Sequence, residues 1–162
     1  MDLKNAQKIA DAVIERINPY CFKIQVAGSI RRKKEFPKDI DIVLIPSDAW
    51  NLEHEMMGLQ FSSVTPSLKP ISGEKLRRIS YNGIQLDFYF ATPETWATLL
   101  LIRTGSKENN IRLCSIAKRR GWRLAANGNG LFNYDGFRIA GDSERSIYEA
   151  LDVPWQEPEE RG

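Results

Sequence analysis

Two apolar runs that carry aspartates constrain the fold of this chain more than any other feature. The first lies in VAGSIRRKKEFPKDIDIVLIP (residues 26–46), where Asp39 and Asp41 stand at the start of Ile40, Ile42 and Leu44. The second is GIQLDFYF (residues 83–90), with Asp87 at its centre. Short runs rich in β-branched and aromatic residues read as strands. Side chains alternate along a strand, so a D-x-D pair presents both carboxylates on one face. Three carboxylates on one sheet face repel one another and are tolerable only with cations among them. Hard oxygen donors of this kind suit Mg²⁺. Gly28-Ser29 and Arg31-Arg32 add backbone N–H groups, a hydroxyl and guanidinium charge, which are equipment for phosphate oxygens. Two metal ions about 4 Å apart assist in-line displacement at phosphorus, so the set points to metal-dependent phosphoryl or nucleotidyl transfer. The competing reading is a set of surface carboxylates paired with Arg31, Arg32, Lys33 and Lys34. It accounts neither for the Gly-Ser turn nor for an aspartate inside an apolar hairpin arm.

The rest of the chain frames these runs. Apolar residues at Leu3, Ala6, Ile9, Ala10, Val13, Ile14 and Ile17 predict a helix over residues 3–17, ended by Asn18-Pro19. Residues 22–27 and 40–45 read as strands, and residues 47–57 as a helix. A loop is expected at Pro66, Pro70 and Ser72-Gly73. Strands over 76–81 and 84–90 meet at Asn82-Gly83, a strong two-residue hairpin signal. Thr92-Pro93 then supplies a cap and a first-turn proline for a helix to about Ile102. A further helix runs over 107–120, short strands surround residues 122–124, 131–132 and 137–139, and a last helix runs from Asp142 or Ser143 to Leu151. The expected fold class is α+β. It comprises a mixed, mainly antiparallel sheet backed by helices over residues 1–92, and a smaller α/β C-terminal subdomain over residues 93–162.

Composition narrows the classes of function. Cys21 and Cys114 form no C-x-x-C pattern, so neither a disulfide framework nor a zinc site is indicated. No signal peptide opens the chain, and no apolar run is long enough to span a membrane. A reducing compartment is expected: the cytoplasm, or a nucleoid or viral replication site, without secretion. The net charge is only +2, but it is unevenly spread. Residues 103–123 hold Arg103, Lys107, Arg112, Lys118, Arg119, Arg120 and Arg123 against Glu108 alone. A positive field beside a carboxylate cluster suits a polyanion held by its phosphates. The plainer alternative is a solvated helix face. His54 lies in a polar helical stretch and is expected to be exposed.

Gly28-Ser29, Arg31-Arg32, the D-x-D pair eleven positions after the glycine and the later strand aspartate together resemble the nucleotidyltransferase superfamily. More narrowly, the chain resembles the family X DNA polymerases, the group of polymerase beta. TGSKENNIRLCSIAKRRGW (residues 104–122) is similar to that family's T-G-S helix, and LDVPWQEPEERG (residues 151–162) to its C-terminal signature. The resemblance implies a palm and a C-terminal subdomain only, adding nucleotides to a DNA 3′-hydroxyl in short-gap repair. It implies that Asp39, Asp41 and Asp87 are catalytic and bind two Mg²⁺ ions, with Mn²⁺ a possible substitute. Gly28, Ser29 and Arg32 would bind the triphosphate of an incoming deoxynucleotide. Gly105 would sit under its sugar, and Asn110 would approach the minor-groove edge of its base. Lys107, Arg112, Lys118 and Arg119 are candidate contacts to gapped or primer–template DNA. A monomer is expected, open to recruitment by a repair or replication partner.

Two positions depart from the family pattern. Ile102-Arg103 replaces the usual aromatic pair that excludes ribonucleotides, so weaker sugar discrimination is expected. Cys114 replaces an arginine that reads the templating base. Arg112 cannot stand in for it, because two residues of helix rotate it to another face. Template-independent transfer to DNA, RNA or a small acceptor therefore stays open, as does a non-catalytic DNA-end binding module.

Overall fold

The computed structural model describes residues 1–61, 71–72 and 75–162. They form two compact units, Met1–Phe90 and Ala91–Gly162. No described helix is long and apolar enough to cross a membrane.

In the first unit, helix α1 (Leu3–Ile17) has the span its apolar stripe predicts. Asp2 caps it by accepting from the Asn5 N–H at 2.8 Å. Its buried face, Ala6, Ala10, Val13 and Ile17, lies on the core. Strand β1 (Cys21–Val26) leads into a single-turn helix α2 (Gly28–Arg31), where a bare Gly-Ser turn is expected. Strand β2 (Ile40–Pro46), helix α3 (Ala49–Phe61) and strands β3 (Ile71–Ser72), β4 (Leu76–Tyr81) and β5 (Ile84–Phe90) follow. Of the loop expected around Pro66, Pro70 and Ser72-Gly73, Pro66, Pro70 and Gly73 lie outside the described residues, and Ser72 belongs to β3.

The sheet order is β1-β2-β5-β4-β3, and only β2 and β5 run parallel. The sheet is therefore mixed and mainly antiparallel. Asn82 (φ 51°) and Gly83 (φ 79°) both take positive φ, the geometry a tight two-residue hairpin requires. Ile40, Ile42, Leu44, Ile79, Leu86 and Phe88 pack into one core with α1 and with Leu52, Met56 and Leu59 of α3.

The second unit contains helices α4 (Trp96–Thr104), α5 (Lys107–Arg119) and α6 (Glu144–Ala150), with an antiparallel sheet of β6 (Arg123–Ala125), β7 (Gly130–Phe132) and β8 (Arg138–Ala140). Helix α4 starts later than Thr92-Pro93 suggests. Thr92 and Thr95 first close a turn on each other, with Thr92 N–H donating to Thr95 Oγ1 at 2.8 Å and Thr95 N–H to Thr92 Oγ1 at 3.3 Å. Helix α6 opens with a capping box between Ser143 and Ser146. Leu101, Leu113, Ala117, Leu124, Leu131, Ile147, Tyr148 and Leu151 form this unit's core.

A buried cation ties the polar tail to that core. Arg161 has a fully buried side chain; its Nη1 meets Glu144 Oε2 at 2.7 Å and its Nε donates to the Gln156 carbonyl at 3.1 Å. The guanidinium also lies 4.9 Å from the Trp155 ring and 5.6 Å from the Tyr148 ring. Replacing Glu144 by Gln leaves this buried charge without its carboxylate, which should remove about 3–5 kcal/mol of stability. Urea unfolding checks this, and a midpoint equal to the parent's would refute the anchoring role.

Candidate active site

Register brings the acidic residues of the first unit together. Asp41 on β2 and Asp87 on β5 are direct partners across the parallel pair, so their side chains leave the same face of the sheet. Asp87 is buried, Asp41 is half-buried, and Asp39 is exposed just ahead of the strand. The Tyr89 hydroxyl stands between the two strand carboxylates, 3.4 Å from Asp41 Oδ1 and 3.5 Å from Asp87 Oδ2. Asp39 joins them electrostatically. Its carboxyl is held above the usual range first by partial desolvation and then by the negative charge of Asp87, while Arg78 and Lys38 pull it back.

The Gly-Ser segment lies directly against this cluster. Ala27 donates its N–H to the Asp41 carbonyl at 2.7 Å. Gly28, at φ 59°, leaves no room for a side chain: a Cβ there would overlap Asp41 Oδ2. Both the left-handed backbone and the close approach demand glycine. Ser29 within α2 and Arg32 at its C-terminal end are half-buried.

Three neighbours of Asp87 were not foreseen from sequence. Arg78, its cross-strand partner on β4, binds it with Nε–Oδ1 2.7 Å and Nη2–Oδ2 3.1 Å. Gln85 Nε2 donates to Asp87 Oδ2 at 3.0 Å, and Tyr89 completes the set. The bond from Asp87 raises the Arg78 pKa further still. A signal for each was present. Gln85 and Tyr89 flank Asp87 at two-residue spacing, and folding the chain at Asn82-Gly83 puts residue 78 opposite residue 87. Of the cations expected among the clustered carboxylates, the Arg78 guanidinium is one, and it offsets the charge of Asp87. Among the described residues, no three acidic, His or Cys side chains are gathered into a ready metal cage. The donor set still fits a hard divalent ion in kind: two carboxylates in register on one sheet, and Asp39 just ahead of β2, which feels the charge of Asp87.

In the second unit, Gly105 (φ 72°) ends α4, and the Gly105–Ser106 peptide is cis. Ser106 caps α5 by accepting from the Asn109 N–H at 3.2 Å. Asn110 donates to the Ile102 carbonyl at 2.8 Å, and its Oδ1 is buried with no hydrogen-bond partner among the described residues. Asn109, also unforeseen, is buried and donates to the Tyr148 hydroxyl at 3.1 Å. Arg112 bonds Asn109 Oδ1 at 3.2 Å and Gln156 Oε1 at 2.5 Å, so it braces the tail. Lys107, Lys118, Arg119 and Arg103 are exposed. Cys114 is half-buried against the second core, and burial raises its thiol pKa, which suits a packing residue better than a reactive one.

The chain is similar to several known proteins. Residues 99–162 match the family model of the DNA polymerase beta thumb. The chain is also 28% identical over 163 residues to the DNA polymerase/3′-5′ exonuclease PolX of Bacillus subtilis, covering 96% of this chain and 27% of that protein. By these matches the chain is similar to the family X, polymerase beta-like proteins. A crystal structure of Leishmania infantum polymerase beta in a ternary primer–template complex shares the fold, with a TM-score of 0.83 at 18% identity, over 100% of this chain and 76% of that one. Within this shared fold, Asp39, Asp41, Asp87 and Gly28 form one group in the first unit. Gly105, Asn110 and the basic residues belong to the second.

Replacing Gly28 by Ala forces both a strained φ and a collision with Asp41, and should destabilise by about 2 kcal/mol or more. In an Asp41→Ser background the collision is relieved, and the same change should lose about 1 kcal/mol less. Chemical denaturation of the four proteins measures this; equal losses in the two backgrounds would show that Gly28 does not make room for Asp41.

Proposed function

We propose that this family X chain is a Mg²⁺-dependent, DNA-directed nucleotidyltransferase that extends a DNA 3′-hydroxyl, in the manner of short-gap filling. The observation that carries the reading is the in-register Asp41–Asp87 pair, coupled to Asp39 and packed against Gly28. Packing of the sheet does not call for this pair, since apolar residues in place of buried ionic groups are often neutral or stabilising. The polymerase names of the Bacillus and Leishmania relatives support the same reading. As the chain spans 27% of the Bacillus protein's length, that protein's whole activity is not carried over.

Asp39, Asp41 and Asp87 would hold the divalent ions. When bound, these supply Lewis-acid stabilisation of the charge that develops at phosphorus. The protein's own contribution is placement. The β2–β5 register sets the spacing of Asp41 and Asp87, while Tyr89 and Gln85 orient the oxygens by donating hydrogen bonds. Ser29, Arg32 and the amides of the Gly28 turn would bind the nucleotide's phosphates. In the second unit taken by itself, Gly105 and Asn110 would contact a nucleotide's sugar and base, and Lys107, Lys118 and Arg119 would hold DNA by its phosphates.

A second reading has its own observation: Arg78 saturates Asp87, as a non-catalytic DNA-end binding module would allow. One assay separates the readings. With a gapped duplex, Mg²⁺ and nucleotides offered singly, extension by the correct base alone is expected. Asp87→Ala should lower it by about 10³-fold or more while keeping DNA affinity. Indiscriminate extension would support template-independent transfer, and binding without extension would support the module.

Asp39 gives a test independent of turnover. A carboxyl whose folded pKa is raised binds its proton more tightly in the native state, so it takes stability away as pH rises from its ordinary pKa to its folded one. A divalent ion at the site should reverse the shift. Carbon-13 NMR titration with and without Mg²⁺ should show the Asp39 pKa falling on metal addition, and an unmoved titration curve would remove Asp39 from the ligand set.

A further inference from the structure

An open groove of about 710 Å³ is lined by Leu3, Lys4, Gln7, Lys8 and Asp11 of α1, Ile30 and Arg31 of α2, and Lys33 just after it. Its floor is apolar, since Ile30 is buried and Leu3 packs on the first core. Four of its lining side chains are cationic, Lys4, Lys8, Arg31 and Lys33, and one, Asp11, is a carboxylate that accepts from Gln7 at 2.8 Å. Lys4 and Lys8 are exposed and one helical turn apart, so they stand side by side on α1. None of these residues belongs to the carboxylate cluster, and Arg31 alone among them was named above as equipment for phosphate oxygens.

From this groove we infer a second nucleic-acid site: a single strand lies along it, with phosphates on Lys4, Lys8, Arg31 and Lys33 and bases over the Leu3–Ile30 floor. Three features favour this occupant. Cations in excess on both walls match a continuous polyanion better than a ligand carrying one charge, and a groove open to solvent admits a chain that enters and leaves. An apolar floor between cations also matches the alternation of base and phosphate along a strand. Arg31 and Lys33 follow Ser29 in the segment whose Gly28 touches Asp41. A strand held here is therefore attached to the unit that carries the carboxylates, beside them and outside them.

The site is tested by binding alone, without Mg²⁺ or nucleotide, so its failure and the failure of the catalytic reading are distinguishable. Fluorescence anisotropy of the full chain is measured with a labelled single-stranded oligonucleotide and with a blunt duplex, over a range of salt. The double variant Lys4→Glu/Lys8→Glu should bind the single strand about tenfold or more weakly, and its salt slope should fall by about 1.4, the value for two lost single-strand phosphate contacts. Duplex affinity and the thermal unfolding midpoint should stay near the parent's. The milder Lys4→Gln/Lys8→Gln variant should fall between. Unchanged single-strand affinity and slope overturns the proposal, and so does an equal loss on duplex and single strand. Competition by polyglutamate as effective as by unlabelled oligonucleotide also overturns it, since the groove would then take acidic peptides.

Discussion

The parallel pairing of β2 with β5 governs the first unit, because it sets Asp41 directly opposite Asp87. Two like charges at that spacing, one of them buried, are unfavourable in a medium less polarisable than water. The sheet tolerates them through one neighbour on each side. Arg78 from β4 neutralises Asp87, and the Tyr89 hydroxyl stands between the two carboxylates. Breaking the β2–β5 register by one residue would turn Asp41 into the core that Ile40, Ile42 and Leu44 fill. The apolar pattern that builds the core is thus the same pattern that holds the acidic face.

The Gly28 turn follows from this constraint. A segment that must pass Asp41 at van der Waals distance has no place for a Cβ, and the φ it adopts there is one that only glycine takes readily. The chain then winds into α2 and turns Arg31 and Lys33 toward α1. One short stretch thereby lies against the carboxylates and also walls a basic groove.

The second unit rests on a different device. Its helices and small sheet close over an apolar core, while the acidic, proline-rich tail is held by the buried Arg161 with Glu144, Gln156, Trp155 and Tyr148 around it. Arg112 and Asn109 extend this network to α5. Residues of the basic stretch therefore divide between bracing the unit and facing solvent, a division that charge counting alone does not reveal.

Local sequence determined much of this protein. The periodic stripe of α1, the Asn82-Gly83 turn, the alternation in β2 and β5, and the three aspartates were all legible, because each depends on neighbours within a few residues. The α+β class and the family X resemblance followed from them. Helix starts were less legible where side chains compete for backbone donors, as Thr92 and Thr95 do ahead of α4. Only the tertiary structure decided what surrounds the aspartates. That Arg78 neutralises Asp87, that Tyr89 stands between two carboxylates, that Gly28 makes room for Asp41 and that Arg112 braces the tail all depend on which strands and helices become neighbours. Contacts between residues far apart in the chain are set by the packing of whole elements, and a local pattern carries no record of that packing.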